Sequence, residues 1–148
     1  DMINTVVRQI AFYDFECKLH DARKSGELTP DDINALWMSV QGESLGPAFE
    51  FMDGYETFWA YIPHFVHSPF YVYAYAFGDG LVNALYAVYQ DQPEGFQDKY
   101  FDMLRAGGSM HHSDLLAPFG LDAADPKFWD KGLSMISDMI DELEAMEA

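Results

Sequence analysis

The sequence SPFYVYAYAFGDGLVNALYAVY, residues 68–89, decides the fold class. Residues 71–75 have the composition of a strand, but a Ser-Pro pair precedes the run and no other proline interrupts it. Proline is favoured in the first turn of a helix, and a run of this length exceeds an ordinary strand. The stretch therefore predicts a helix from Pro69 to about Tyr89, apolar on most sides and central in the fold.

The flanking sequence predicts further helices. Thr29-Pro30 and Asp125-Pro126 repeat the start signal, in which a polar residue caps a helix that begins with proline. The predicted helices run from Met2 to about Ser25, from Pro30 to about Val40, from Pro93 to about Arg105, around Leu115 to Phe119, and from Pro126 onward, and an irregular stretch is predicted from Gln41-Gly42. No segment alternates convincingly between apolar and polar residues as a strand does. The chain is therefore predicted to be all-α, a single helical segment over residues 1–148.

The composition limits the class of protein. The chain has 148 residues, with 8 Lys and Arg against 25 Asp and Glu, and its formal net charge is −17. The electrostatic field of so negative a chain repels phosphate backbones and anionic lipids. No apolar run approaches the roughly 20 residues that span a bilayer. Cys17 is the only cysteine in the sequence, which excludes an internal disulfide and fits a reducing compartment. We therefore expect a soluble, cytoplasmic protein that binds neither nucleic acid nor membrane.

The histidines give no metal signature. A helical zinc hydrolase is typically marked by His-Glu-x-x-His, which places two imidazoles one helical turn apart with a carboxylate beside them. The sequence contains no such motif. Glu16 and His20 lie four residues apart, a spacing that is more often a surface pair than a metal site. No residue of this chain is therefore predicted to bind a metal.

One segment concentrates polar aromatic groups. IPHFVHSPFYVYAY, residues 62–75, holds two histidines and three tyrosines. Imidazole and phenol groups beside a helix start can donate hydrogen bonds to a carbonyl oxygen that is gaining negative charge, but they supply no nucleophile. Such a cluster completes a catalytic site and does not form one alone. A tyrosine-rich core with hydroxyls at its edge explains the same residue types, and the residues alone leave both interpretations open.

The order of several segments carries a resemblance to a known family. RQIAFYDFECKLH, residues 8–20, is followed by Gly46-Pro47, by residues 63–76, and by RAGGS, residues 105–109. In this order the chain resembles the carboxyl-terminal part of oligoendopeptidase F, which belongs with thimet oligopeptidase among zinc-dependent peptidases. The resemblance implies the carboxyl-terminal portion of a zincin-type helical oligopeptidase, a cytoplasmic enzyme that hydrolyses short peptides.

The resemblance also implies roles for particular residues. His64 matches the family histidine that precedes the tyrosine helix, Tyr73 matches a family tyrosine, and Tyr71 and Tyr75 are the further candidates. These four are the expected substrate-binding and oxyanion-stabilising residues. Zinc is expected in the complete enzyme, held by a His-Glu-x-x-His motif and a later glutamate upstream of Asp1. This segment is expected to bind no metal and to be inactive alone.

Helical geometry limits how the three tyrosines act together. On a helix, residues 71 and 75 share a face, whereas residue 73 lies about 200° from residue 71. All three hydroxyls therefore cannot point at one carbonyl group. At least one of the three tyrosines must have a structural role.

A free-standing acidic helical module that binds peptides or a partner protein without catalysis is the alternative function. Under the peptidase interpretation, surfaces that pack against the rest of the enzyme should be apolar and exposed in this chain. We expect such a surface within residues 58–77, together with self-association through it.

The coding sequence immediately upstream of Asp1 distinguishes these two functions. We expect it to encode His-Glu-x-x-His in frame, because the metal ligands and the general base must come from outside the 148 residues. Sequencing that region is the test, and a stop codon or unrelated residues there would favour the binding module.

Overall fold

The fold is a set of α-helices joined by turns and short 3₁₀ segments. A computed structural model describes residues 2–147, and within this range there is no β-strand. The helices are α1 (Met2–Arg23), α2 (Pro30–Leu45), α3 (His64–His67), α4 (Tyr73–Asp91), α5 (Phe96–Ala106), α6 (His112–Leu116) and α7 (Pro126–Glu147). The predicted all-α class is confirmed. None of these helices is both long enough and apolar enough to cross a membrane.

Internal contacts divide the chain into two compact units, Asp1–Phe77 and Gly78–Ala148. In the first unit, α1 packs against α2 around a buried cluster that includes Phe15 and Trp37. The rings of these two residues meet edge to face, with their centroids 5.2 Å apart. Val72 is buried in the same cluster, so the segment that leads into α4 is anchored to this core.

The start of α2 shows how local sequence sets a helix boundary. The Thr29 hydroxyl accepts a hydrogen bond from the Asp32 N–H at 3.2 Å, and the Asp32 carboxylate accepts one from the Thr29 N–H at 2.8 Å. This reciprocal pair satisfies N–H groups that the helix itself leaves unpaired. The hydrogen bonds from the Thr29 hydroxyl and N–H also hold the pKa of Asp32 below its usual value. Pro30 follows at the first helical position, so the predicted start is confirmed. The helix continues to Leu45, so the predicted irregular stretch from Gln41-Gly42 is wrong at its beginning.

The start of α4 differs from the sequence prediction. The helix begins at Tyr73, and the predicted start at Pro69 is wrong. His64–His67 form the separate helix α3. Phe70 then has a backbone φ of 58°, in the left-handed region that a right-handed helix cannot contain. The residues between α3 and α4 therefore form a turn.

The second unit has a buried cluster of its own. Its members come from α4, α6, α7 and the connections near them: Ala84, Leu85, Leu116, Phe119, Leu121 and Phe128. In this unit α5 begins at Phe96 and not at the predicted Pro93, because Gly95 before it has a φ of 71°. The start of α7 at Pro126 agrees with the sequence prediction.

Helices α4 and α7 approach each other closely at a pair of glycines in the second unit. A Cβ atom at Gly132 would lie 2.8 Å from the Gly80 carbonyl oxygen, which is a backbone atom and cannot rotate away. A Cβ atom at Gly80 would lie 3.1 Å from the Trp129 ring. The missing side chain at Gly132 therefore allows the two backbones to come this close.

We expect Gly132→Ala to lower the free energy of unfolding. Overpacking typically costs about 1 to 3 kcal/mol, and an immobile backbone atom places this case toward the upper part of that range, above the roughly 1 kcal/mol that alanine gains over glycine within a helix. Gly78→Ala is the matched control, because Gly78 also lies in a helix but has no atom within 4 Å of an added Cβ. It should raise the free energy of unfolding by about 0.4 to 1 kcal/mol. Denaturant unfolding of the intact protein measures both, and a Gly132→Ala variant as stable as wild type would contradict the close approach.

Candidate functional site

His64, Tyr71 and Tyr75 lie together in the first unit and form what we name the His–Tyr cluster. The Nε2 atom of His64 lies 2.9 Å from the Tyr75 hydroxyl oxygen, within hydrogen-bond distance. The imidazole is nearly parallel to the Tyr71 ring, with an interplanar angle of 5° and centroids 6.2 Å apart. The two tyrosine rings meet edge to face at 5.6 Å. The structure thus brings together three of the four residues that the resemblance singles out.

The cluster is accessible from outside the protein. Tyr71 is 53% exposed, Tyr75 is 41% exposed, and His64 is half-buried. A tyrosine-rich core, the other interpretation of this segment, would bury these rings. Parts of all three side chains can therefore be reached by a ligand.

The positions of the cluster residues follow from their neighbours in the sequence. Tyr71 precedes the first residue of α4 by two positions and Tyr75 lies in its first turn, so the two are one helical turn apart. Val72, next to Tyr71, is buried in the core of the first unit. Phe65, next to His64, packs against the same core. Each side of the cluster is thus fixed by an adjacent apolar residue.

Tyr73 lies apart from the cluster. Its ring contacts Tyr13 of α1, with centroids 5.7 Å apart, and it is 51% exposed. Helical geometry predicts that the three tyrosines cannot all share one direction, and the one that differs is Tyr73. Its role in substrate binding stays a prediction.

A carboxylate that the sequence places on the surface lies in the interior instead. Glu16 is 0% exposed, and its Oε1 atom accepts a hydrogen bond from the Phe70 N–H at 2.8 Å. The predicted surface pair of Glu16 and His20 is therefore wrong, since only His20 is exposed, with its ring 4.8 Å from that of Phe70. Glu16 lies four residues after Phe12 and three before Leu19, on the apolar face of α1, and this spacing is the signal that reveals its burial.

The interior position of Glu16 changes its acidity. Burial raises the pKa of the carboxyl group, because the ionised form loses its hydration. The hydrogen bond from the Phe70 N–H and the charges of His20 and His64 act in the opposite direction and lower the pKa. The second oxygen, Oε2, is buried without a hydrogen-bond partner in the part of the chain that the structure describes. Ionisation of Glu16 therefore has a cost that a surface glutamate does not have.

No metal site is formed by the residues that the structure describes. Among residues 2–147, no three or more His, Cys, Asp or Glu side chains are grouped as metal ligands would be. The exposed pair His111 and His112 has its rings 4.1 Å apart, but no carboxylate or thiol joins them in such a group.

The second unit contains an open apolar groove. It has a volume of about 380 Å³, and its aromatic lining comes from α4 and α5. The aromatic residues are Tyr86, Tyr89, Phe96 and Tyr100. No local sequence pattern indicates this groove, because its two sides come from separate helices. Its lining suits an apolar side chain and not a charged one.

Many large apolar side chains between residues 58 and 77 are exposed, which confirms this part of the sequence prediction. They are Phe58, Tyr61, Val66, Phe70, Tyr71, Tyr73 and Tyr75. Clustered exposed apolar side chains of this kind mark sites that contact a ligand or another protein surface. The His–Tyr cluster lies within this stretch of the sequence.

The fold of this chain is that of a helical segment of a solved peptidase. A crystal structure described as a peptidase from Chlamydophila abortus superposes with a TM-score of 0.82 and 29% identity, over 96% of this chain and 24% of that chain. The sequence profile of Peptidase family M3 matches residues 1–135. The chain belongs to peptidase family M3.

Curated relatives agree with this assignment. Oligopeptidase PepF from Bacillus subtilis is 30% identical over 143 residues, which are 96% of this chain and 21% of the relative. Oligoendopeptidase F, plasmid, from Lactococcus lactis subsp. cremoris is also 30% identical over 143 residues, which are 24% of its length. The resemblance to oligoendopeptidase F is confirmed. The chain spans about a fifth to a quarter of the length of these relatives.

We expect the stability of the wild type relative to a Glu16→Gln variant to fall as the pH rises. Because burial raises the pKa of Glu16, the folded state binds this proton more tightly than the unfolded state. The stabilisation from proton binding by Glu16 is fully present below the ordinary glutamate pKa. It is lost as the pH rises through the raised pKa that Glu16 has in the folded state. Glutamine does not titrate, and any cost of burying its amide group does not depend on pH.

Denaturant unfolding of both proteins at a series of pH values, from acid to neutral, measures this difference. The two proteins differ only at residue 16, so the difference in their stability reports on the Glu16 carboxyl group. A difference that stays constant across the series would contradict the raised pKa.

Proposed function

We propose that this chain is the carboxyl-terminal segment of a zinc metalloendopeptidase that hydrolyses short peptides. Membership of peptidase family M3 supports the peptidase class, and the names of the relatives support an oligopeptidase. The chain contributes the substrate-binding and oxyanion-stabilising residues His64, Tyr71, Tyr73 and Tyr75. The observation that carries this proposal is the accessible pair of His64 Nε2 and Tyr75 hydroxyl, 2.9 Å apart.

The ring nitrogen of His64 that carries the proton determines whether His64 or Tyr75 can donate a hydrogen bond to a bound peptide. When Nε2 carries hydrogen, it donates to the Tyr75 oxygen and leaves the phenol hydrogen free. That hydrogen then donates to the carbonyl oxygen of a bound peptide as the oxygen gains negative charge. A donor already held in place stabilises the oxyanion without reorganising during the reaction.

Tyr71 and Tyr73 have different tasks in this proposal. Tyr71 lies parallel to the imidazole of His64 and is half exposed, so we assign it a contact with the bound peptide beside this imidazole. Tyr73 packs beside Tyr13, away from the His–Tyr cluster, so we assign it a substrate contact that is remote from the reacting carbonyl.

Zinc belongs to the proposed enzyme but not to this segment. The described residues group no three or more potential ligands, so they do not fit a zinc site, and no step proposed for this chain passes through the metal. The ligands and the general base would come from sequence beyond the matched part, since the relatives are about four to five times longer.

The exposed apolar side chains of residues 58–77 support further partners. We propose that the remaining sequence of the enzyme packs on part of this surface and that short peptides contact the part around the His–Tyr cluster. Where the remaining sequence is absent, the same side chains should promote self-association. The single cysteine supports a cytoplasmic location.

We expect Tyr75→Phe to lower the kcat of the complete enzyme about 100- to 1,000-fold, the usual cost of losing one oxyanion donor. We expect a similar loss for His64→Ala, because it removes the group that holds this donor in place. Tyr75→Phe removes one hydroxyl and keeps the ring, so its loss reports on the hydrogen bond. The resemblance assigns the same loss to Tyr73→Phe, but its position apart from the cluster predicts a smaller one. Hydrolysis of a quenched fluorescent short peptide in the presence of zinc measures all three.

His112→Ala is the control, because it removes an exposed imidazole of the second unit that has no place in the proposed site. It should leave kcat unchanged. Losses below about threefold for both His64→Ala and Tyr75→Phe would reject the assignment of the cluster. A larger loss for Tyr73→Phe than for Tyr75→Phe would move the oxyanion donor to Tyr73.

A module that binds peptides without cleaving them is the second candidate function. The apolar groove of the second unit favours it, because a groove of about 380 Å³ with an aromatic lining accommodates an apolar peptide side chain. A net charge of −17 would favour basic peptides in that case. Binding of such peptides with no hydrolysis by the complete protein would support this candidate over the peptidase.

A further inference from the structure

Phe70 has a backbone conformation that its residue type disfavours. Its φ is 58°, and it is the only non-glycine residue with a positive φ in the part of the chain that the structure describes. A Cβ atom clashes with the backbone in this region, so the conformation persists only where surrounding contacts hold it. Residues in such conformations are often found at functional sites.

Side chains on one face of α1 supply these contacts. Tyr13, Glu16 and His20 are spaced three and four residues apart, so they form a row along the helix. Tyr13 and His20 contact the Phe70 ring, with centroid distances of 6.3 Å and 4.8 Å. Glu16 lies between them in the row and accepts the Phe70 N–H at 2.8 Å. Glu16 is also the only one of the three that is buried.

The conformation of Phe70 determines where the tyrosines of the cluster point. Tyr71 is the next residue, and its carbonyl accepts a hydrogen bond from the Ala74 N–H at 2.9 Å as the chain enters α4. Rotation about the Phe70 backbone would therefore move Tyr71 and Tyr75 together. His64 lies before the turn and would not move with them, so the contacts within the cluster depend on the conformation of Phe70 as well as on the buried Val72.

We propose that Glu16 is a positioning residue, whose carboxylate fixes the turn at Phe70 and thereby the hydrogen bond between His64 and Tyr75. Glu16 is not part of the accessible surface and touches no substrate in this proposal. An apolar residue at this place would fill the space without burying a charge, but it would leave the Phe70 N–H unpaired. The catalytic consequence rests on the proposed peptidase function, whereas the effect on the turn does not.

Two substitutions separate the hydrogen bond from the packing. Glu16→Gln keeps a side-chain carbonyl oxygen for the Phe70 N–H, whereas Glu16→Leu keeps most of the volume and loses the acceptor. In the complete enzyme, deuterium uptake by residues 64–75, followed by mass spectrometry, should rise in Glu16→Leu and stay at the wild-type level in Glu16→Gln. Peptides from residues 78–147 are the internal control and should not change in either variant.

The same variants should differ in turnover. We expect Glu16→Leu to lower kcat about 10- to 100-fold with KM changed less than about threefold, since small displacements of positioned groups have effects of this size. Glu16→Gln should keep kcat within about threefold of wild type. A merely structural role predicts lower stability in Glu16→Leu but an unchanged kcat for the folded fraction.

Wild-type deuterium uptake in residues 64–75 together with wild-type kcat in Glu16→Leu would overturn the proposal. If Glu16→Leu does not fold, Glu16→Asp decides, because it keeps the charge and withdraws the carboxylate by one methylene. Wild-type uptake and kcat in Glu16→Asp would then overturn the proposal in the same way. A raised uptake in Glu16→Leu, combined with no hydrolysis of short peptides by the complete wild-type protein, would reject the peptidase function and leave the role of Glu16 in the turn intact.

Discussion

The hydrogen bond between the Phe70 N–H and the Glu16 carboxylate joins two groups that are each unfavourable alone. A backbone N–H that no helix satisfies needs another acceptor, and a buried carboxylate without a donor destabilises a fold. The turn between α3 and α4 leaves Phe70 outside the regular hydrogen bonds of both helices, and α1 brings Glu16 into the interior. The hydrogen bond between them, at 2.8 Å, gives the N–H an acceptor and one carboxylate oxygen a donor. It also connects the core of the first unit to the turn beside the His–Tyr cluster.

The cluster obtains its geometry from the core although it lies at the surface. His64 and Tyr71 are each followed directly by a residue that packs inside, Phe65 and Val72. Because neighbouring residues are joined by short rigid peptides, fixing the apolar residue limits the direction of the polar one. Packing around Trp37 therefore acts on the site from a distance, and a functional group is held most precisely when its supporting residues are themselves immobile.

Much of the fold could be predicted from local sequence signals, because capping and proline act over a few residues. Pro30 and Pro126 mark real helix starts, but the equally clear signal at Pro69 marks a turn. The segment at Pro69 differs from the other two in the hydrogen bond from the Phe70 N–H to Glu16, which lies 54 residues away in the sequence. No local pattern can show such a contact. In the candidate site, too, some features follow from local sequence and others depend on contacts between separate elements. Helical spacing separates Tyr73 from Tyr71, whereas the contact of His64 with Tyr75 joins two elements and becomes visible only in the folded chain.

The exposure of the cluster bears on how it would act in a peptidase. In water, a hydrogen bond such as that between His64 and Tyr75 contributes only about 0.5 to 1.5 kcal/mol, because water competes for both partners. The same donors become far more effective toward an oxyanion once water is excluded and the local dielectric falls. Under the proposed function, the segment therefore supplies preorganised donors, and their catalytic strength arises only when substrate and the remaining sequence of the enzyme cover them. An accessible cluster on a rigid support is the arrangement that such a division requires, because donors buried within this chain could not reach a peptide brought to them by another part of the protein.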